Sequence, residues 1–295
     1  MSYQLVQKLQ QKAIPASQTC RVLAVSRSGF YAARHRWQKP VAICPASVHL
    51  QAAFASSGNT YGSRRLQTSL QKNGLKIGRY RVRSLMKKHA IKPVWKRKFT
   101  HTTDSQHNLP LAQNILNRAF QPVKANTAWV CDITYIRTRR GWLYLAAVLD
   151  LYSRKIIGWA MAPSMPAELV CTALQIAIAQ RNPNAGLIVH SDRGSQYASE
   201  MHQALLARYG LIGSMSRKGN CWDNAVMERF FLNLKMERVW RKDYANHAQA
   251  INDVTDYIVN FYNCVRLHST LGYLSPNAYE NNLAEKSSIL LSIIS

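Results

Sequence analysis

From Trp129 to Arg238 the chain switches repeatedly between two hydrophobic periods, and this switching restricts its fold more than any other feature. Trp129–Ile136, Trp142–Leu149 and Lys155–Ala162 are rich in β-branched and aromatic residues. They are predicted as three successive strands, broken by turns at Arg139-Arg140-Gly141 and Asp150–Arg154. Helical lengths then alternate with short apolar runs. Ala167–Gln180 reads as a helix, Leu187–Ser191 as a fourth strand and Ser199–Tyr209 as a helix. Ile212–Met215 reads as a fifth strand, and Asp223–Arg238 as a closing helix.

Three antiparallel strands followed by strands that alternate with helices describe a ribonuclease-H-like α/β layer, with a mixed five-stranded sheet. That order lays the middle of the first strand beside the end of the fourth. Asp132 interrupts the first strand and Asp192 follows the fourth, so their carboxylates converge. Glu228, separated from Asp192 by thirty-five intervening residues, sits in the closing helix. Two carboxylates ~4 Å apart repel by ~4 kcal/mol at an effective dielectric of ~20, against a whole-domain margin of ~5–15 kcal/mol. A hard divalent cation offsets this, and all-oxygen ligands suit Mg²⁺ or Mn²⁺. Asp132, Asp192 and Glu228 are therefore expected to be both the catalytic residues and the ligands of two Mg²⁺ ions, with Mn²⁺ as a substitute. Such a site supports in-line phosphoryl transfer without a covalent enzyme intermediate. Lys235 lies two turns after Glu228 on the same helix face, and is expected to reach a phosphate or base. Taken singly, each acid also has a plain structural use: a strand acid paired with an arginine, a turn residue before Gly194, a helix-surface acid. His190 reads as structural, and Phe230, Phe231, Leu232 and Leu234 as core anchors.

Charge names the class of partner. The chain carries 39 Lys and Arg against 14 Asp and Glu. No acid precedes Asp104, while twenty Lys or Arg fall in the first hundred residues. A cationic front of that length implies a polyanion, above all nucleic acid. Within it, Ala16–Val25, the capping Ser26 and Arg27–Arg34 outline a helix-turn-helix. Val48–Phe54, Ser63–Lys72 and Gly78–His89 form a second helical set, whose last helix turns Tyr80, Leu85 and Met86 to a core. The candidate DNA contacts are Arg64, Arg65, Arg79, Arg81, Arg83, Lys87, Lys88, Lys96, Arg97, Lys98, Arg217, Lys218 and Arg266, together with Lys235. Trp95–Pro122 reads as an extended basic connector that follows nucleic acid more than it packs. The expected divisions are a helical segment at 1–44, a second DNA-binding domain at 45–95, a linker at 96–125, the catalytic core at 126–240, and a C-terminal helix and tail at 241–295. The six cysteines form no CxxC pair, as suits reduced thiols, and Cys20, His35, Cys44 and His49 fit no common zinc spacing. Met1–Gln11 lacks an apolar h-region, and no run approaches the ~18 apolar residues of a membrane span. These features predict a soluble, cytoplasmic protein.

Trp-Val-Cys-Asp-Ile-Thr-Tyr-Ile around Asp132, His-Ser-Asp-Arg-Gly-Ser-Gln-Tyr around Asp192, and the run from Ser216 to Lys235 around Glu228 carry a resemblance. So do Tyr61–Arg65 upstream and the tail from Phe261 to Pro276. On these residues the chain resembles the catalytic OrfB-type product of the insertion-sequence-three family of bacterial transposases, within the DDE superfamily that includes retroviral integrases. The resemblance implies Mg²⁺-dependent cutting and joining of transposon ends. It also implies a homo-oligomer on paired terminal repeats and target DNA, at the bacterial nucleoid. An upstream OrfA-type partner or fusion is implied too, because the chain begins where a downstream frame would and shows no leucine-heptad zipper. Cys131 stands where the family usually has Thr. Two other readings stay open on the residues alone: a catalytically silent DNA-binding regulator of the element, and a ribonuclease-H-like nuclease. Asn246–Tyr262 is expected to be an amphipathic helix, Arg266 either to pack or to contact DNA, and Glu280–Ser295 to be a frayed end.

Overall fold

The computed structural model describes residues 2–38, 44–94, 111–217 and 221–282. The chain divides into two units, Met1–His49 and Leu50–Ser295. In the first, α1 (Ser2–Gln11), α2 (Ala16–Val22) and α3 (Arg27–Gln38) close on Val6, Ala16, Cys20 and Phe30. Ser26 caps α3 as expected, its Oγ accepting from the Gly29 N–H at 3.2 Å. The boundary between the units falls inside α4 (Pro45–Ser56).

The second unit begins with an all-helical part, in which α5 (Ser63–Lys72) and α6 (Arg79–Lys88) pack through Leu66, Leu70, Val82, Leu85 and Met86. Tyr80 does not join this core: it is 87% exposed. It lies five residues from Leu85, about 140° round the helix, and Val82 takes the core place instead.

The five-stranded sheet has the order β3-β2-β1-β4-β5. β1 (Ala128–Thr138), β2 (Gly141–Asp150) and β3 (Ile156–Ala162) are antiparallel, as their short links require. α7 (Ala167–Arg181) crosses to β4 (Ile188–Ser191), and the short α8 (Ser195–Ala198) and α9 (Glu200–Arg208) cross to β5 (Ile212–Met215). β1, β4 and β5 are thereby parallel. One face of the sheet carries Val130, Ile136, Leu143, Leu145 and Leu149. It packs on α10 (Ala225–Glu237) and α11 (His247–Asp256), chiefly through Phe230, Leu234, Val254 and Tyr257. The other face packs Trp129, Val148 and Ile157 on α7, notably on Leu169, Val170, Leu174 and Ala177.

Gly158 of β3 lies directly against α7. A Cβ there would sit 2.3 Å from the Ala173 carbonyl oxygen and 2.8 Å from the Ala177 Cβ. Gly158→Val is therefore expected to destabilise the second unit by about 1–3 kcal/mol, read as a lowered urea midpoint with unchanged slope.

Two further expectations need correction. The second half of the connector packs: Leu116 is 3% exposed in the core, and the Ile115 and Leu116 N–H groups donate to Ser214 Oγ at 2.9 and 3.1 Å. The tail does not fray at Glu280, whose carboxylate pairs with Lys155 and Arg181 at 3.2 and 2.5 Å. Residues 283–295 lie outside the described residues. α11 matches the expected helix, capped by Asn246 and continued by a π-helical turn at Tyr257–Asn263. No helix among the described residues is long and apolar enough to cross a membrane.

Candidate active site

The register of the parallel pair brings two acids together. β1 and β4 match Ala128 with Ile188, Trp129 with Val189 and Val130 with His190. Two residues further on, Asp132 stands within β1 on the face covered by α10, and Asp192 lies one residue past the end of β4, near enough for its charge to act on Asp132. Both are partly buried. Asp132 Oδ1 accepts from the Ile133 N–H at 2.8 Å, and Asp192 Oδ1 from the Gly194 N–H at 3.0 Å. Burial raises the Asp132 pKa well above the usual carboxylate range, and the charges of Asp192 and Glu228 raise it further. Lys235 opposes them. Glu228 itself is exposed, on the first turn of α10. Among the described residues, no three His, Cys, Asp or Glu side chains are already gathered as a metal-binding group.

Lys235 stands 4.5 Å from the centre of the Tyr135 ring. Burial lowers its pKa, and Asp132 works against that. Tyr197 is 2% exposed, and its hydroxyl has no hydrogen-bond partner among the described residues. Its pKa is raised by burial first, then by Cys131, Asp132 and Asp192.

The start of α10 is held by residues that carry no local mark in the sequence. Asn224 Nδ2 donates to the Cys131 carbonyl at 3.2 Å, tying the helix to the strand residue next to Asp132. Asp223 is 1% exposed. It accepts from Asn114 Nδ2 and Arg118 Nε at 2.9 Å each, and from the Arg217 N–H at 3.0 Å. Burial pushes its carboxyl up, but these donors outweigh it and hold the pKa below the usual range. His190 is fully buried between Ser214 Oγ at 2.9 Å and Ser216 Oγ at 3.2 Å. Burial lowers its pKa to about 4, so it is neutral at pH 7 and structural.

Family models described as Integrase core domain match residues 122–221 and 209–276, and one described as HTH-like domain matches residues 47–99. An uncharacterised 31 kDa protein of insertion element IS600 from Shigella sonnei is 44% identical over 265 residues, covering 88% of this chain and 96% of that protein. Transposase InsF of insertion sequence IS3A from Escherichia coli (strain K12) is 40% identical over 289 residues, covering 96% of this chain and 100% of that one. The chain belongs to the IS3 family of transposases. As an IS3-family transposase with an integrase core, it is an enzyme of the polynucleotidyl-transferase type. The HTLV-2 integrase catalytic core domain in complex with magnesium aligns at a TM-score of 0.41 and 16% identity, covering 53% of this chain and 97% of that one.

The basic residues of this IS3-family chain sort by exposure. Arg64, Arg79, Arg81, Arg83, Lys87 and Lys88 are exposed. Arg217 is half exposed but is tied to Asp223 and, through Nη2, to Asn117 Oδ1 at 2.7 Å. Arg266 corrects the DNA-contact reading. It is 2% exposed, and its Nε and Nη2 donate to Glu237 at 2.9 and 2.7 Å. Arg65 is drawn toward the same carboxylate at 4.0 Å, over the Tyr61 ring. Lys96, Arg97, Lys98 and Lys218 lie outside the described residues.

Proposed function

We propose that Asp132, Asp192 and Glu228 form one divalent-cation site, at which this transposase cuts the ends of its insertion element and joins them to target DNA. What supports the reading is the charge at Asp132: a partly buried carboxyl beside two further acids, with its pKa driven upward. The donor set fits Mg²⁺ or Mn²⁺, being all oxygen and anionic. Asp132 and Asp192 would hold the ions, and a turn of the exposed Glu228 side chain would complete the set. When bound, a pair of such ions supplies an activated water or 3′-hydroxyl and stabilises the leaving oxygen of an in-line displacement.

The chain's own groups then have distinct tasks. The Gly194 N–H keeps Asp192 Oδ1 aimed, and the Ile133 N–H does the same for Asp132. Asn224 and Asp223 fix where α10 begins, and hence where Glu228 and Lys235 stand. The Lys235 ammonium orients a DNA phosphate beside Asp132. The exposed cations of α5 and α6 hold the element's terminal repeats by charge, with affinity falling by ~0.9 log unit per phosphate contact per log unit of salt. The same reading makes the chain an oligomer pairing two ends on bacterial DNA in the cytoplasm, with an upstream OrfA-type partner or fusion.

The test is a joining assay with the full chain, duplexes ending in the element's termini, and an unlabelled target duplex. In Mg²⁺ or Mn²⁺, labelled 3′ ends are expected to become covalently joined to target strands, and EDTA should abolish this. Released ends that never join would mark a nuclease. Tight binding of the ends without cleavage in either metal would mark a regulator.

A further inference from the structure

We propose that Tyr80 reads base edges in the DNA major groove, with α6 as the reading helix; the inference rests on the DNA-binding reading above. The buried side of α6 is set by Val82, Leu85 and Met86, which are 0, 3 and 8% exposed. At about 100° per residue, Tyr80 lies about 160°, 140° and 120° from these three. It therefore points directly away from the core, and is 87% exposed. Ser84 and Lys87 share its stripe. Arg79 and Arg83 flank it on one side, and Arg81 and Lys88 on the other; all four are exposed.

That arrangement sorts contacts as a groove requires. A major groove ~12 Å wide admits one helix, whose flanking cations meet the phosphates on the two walls while its central side chains meet the floor. Phosphate contacts position a helix; base contacts specify the sequence. An aromatic ring at the second residue of the helix can reach base edges and a thymine methyl, because the N-terminal residues of a reading helix approach the bases most closely. The neighbours of Tyr80 on the outer face of α6 are polar or cationic, so the helix itself offers its ring no apolar cover.

The test uses the full chain in EDTA with a duplex library carrying a randomised core. Wild type, Tyr80→Ala, Tyr80→Phe and Arg83→Ala are compared by selection, followed by affinity measurement over a salt series. Tyr80→Ala is expected to bind the selected sequence about 5- to 150-fold more weakly, the worth of one base-pair contact. It should accept substitutions at one or two adjacent positions, with the salt slope unchanged. Arg83→Ala should weaken binding to all sequences alike and reduce the slope by about 0.9. Tyr80→Phe separates ring from hydroxyl: retained selectivity assigns the contact to the ring, and lost selectivity assigns it to the hydroxyl. A Tyr80→Ala protein with wild-type melting, affinity and preference would overturn the proposal. So would unchanged DNA binding with an altered oligomeric state, which would make Tyr80 a protein contact. A wild-type chain that selects no sequence would remove both the DNA-end reading and the role of Tyr80, whereas selection that survives Tyr80→Ala removes the second alone.

Discussion

Asp132→Asn is expected to reduce joining of DNA ends by about a thousand-fold or more, and at the same time to make the metal-free protein more stable. The activity loss follows from removing a ligand whose cations supply several kcal/mol of charge stabilisation, at ~1.4 kcal/mol per tenfold in rate. The stability gain follows from the sign of the pKa shift. Asp132 has a folded pKa above its unfolded value, raised by burial and then by Asp192 and Glu228. The native state therefore binds that proton more tightly, and the metal-free chain gains stability as pH falls through the folded pKa. Above it, the ionised carboxylate is a cost that asparagine removes. Added Mg²⁺ should raise the wild-type melting temperature, as any ligand of the native state does, and should move the Asn variant far less. Melting curves near pH 8 with and without Mg²⁺ check both effects. A variant that melts lower than wild type in EDTA would show that Asp132 has a stabilising partner instead.

Glu237→Gln is expected to destabilise the second unit by about 3–5 kcal/mol. Glu237 is the last residue of α10, and its side chain is 8% exposed. It accepts from Arg266 Nε and Nη2, and from the Tyr257 hydroxyl at 2.7 Å. Glutamine would leave the Arg266 guanidinium, 3% exposed, without its counter-charge. Burial lowers the Arg266 pKa, but Glu237 outweighs it and the net shift is upward. Replacing both partners by apolar residues of similar size, Glu237→Leu with Arg266→Met, should restore part of the loss, because the desolvation cost of both charges disappears with the pair while the buried Tyr257 hydroxyl loses its acceptor. Urea midpoints of Glu237→Gln and of the double variant test this. A single variant within about 1 kcal/mol of wild type would place the pair with exposed ion pairs instead. Because this joint closes the helix that carries Glu228 in its first turn, the single variant should also impair joining.

The sheet is legible in the sequence because each of its strands is marked locally. β1 to β3 run for seven residues or more between turn residues, and β4 and β5 are apolar runs between helices. Asp132 and Asp192 can be paired from strand order alone, since a parallel register carries both forward by the same two steps. Other features depend on contacts between distant segments and leave no local trace. Arg266 and Glu237 are 29 residues apart, and either alone reads as a surface charge. Asp223 meets Asn114 and Arg118 more than a hundred residues upstream, which is why the packing of the connector is invisible in its own composition. Tyr80 departs from expectation for a different reason. Its apolar ring suggests a core role, while its phase relative to Val82 and Leu85 points outward.

The most direct test of the shared carboxylate site is Mn²⁺ binding, followed by the loss of the free-ion electron paramagnetic resonance signal, in wild type and in Asp132→Asn, Asp192→Asn and Glu228→Gln. With end DNA present, each substitution should weaken Mn²⁺ binding by about tenfold or more, at least the effect of losing an outer-shell partner. Wild-type affinity in any one of the three, in a protein that melts normally, would contradict the convergence of these acids on one site.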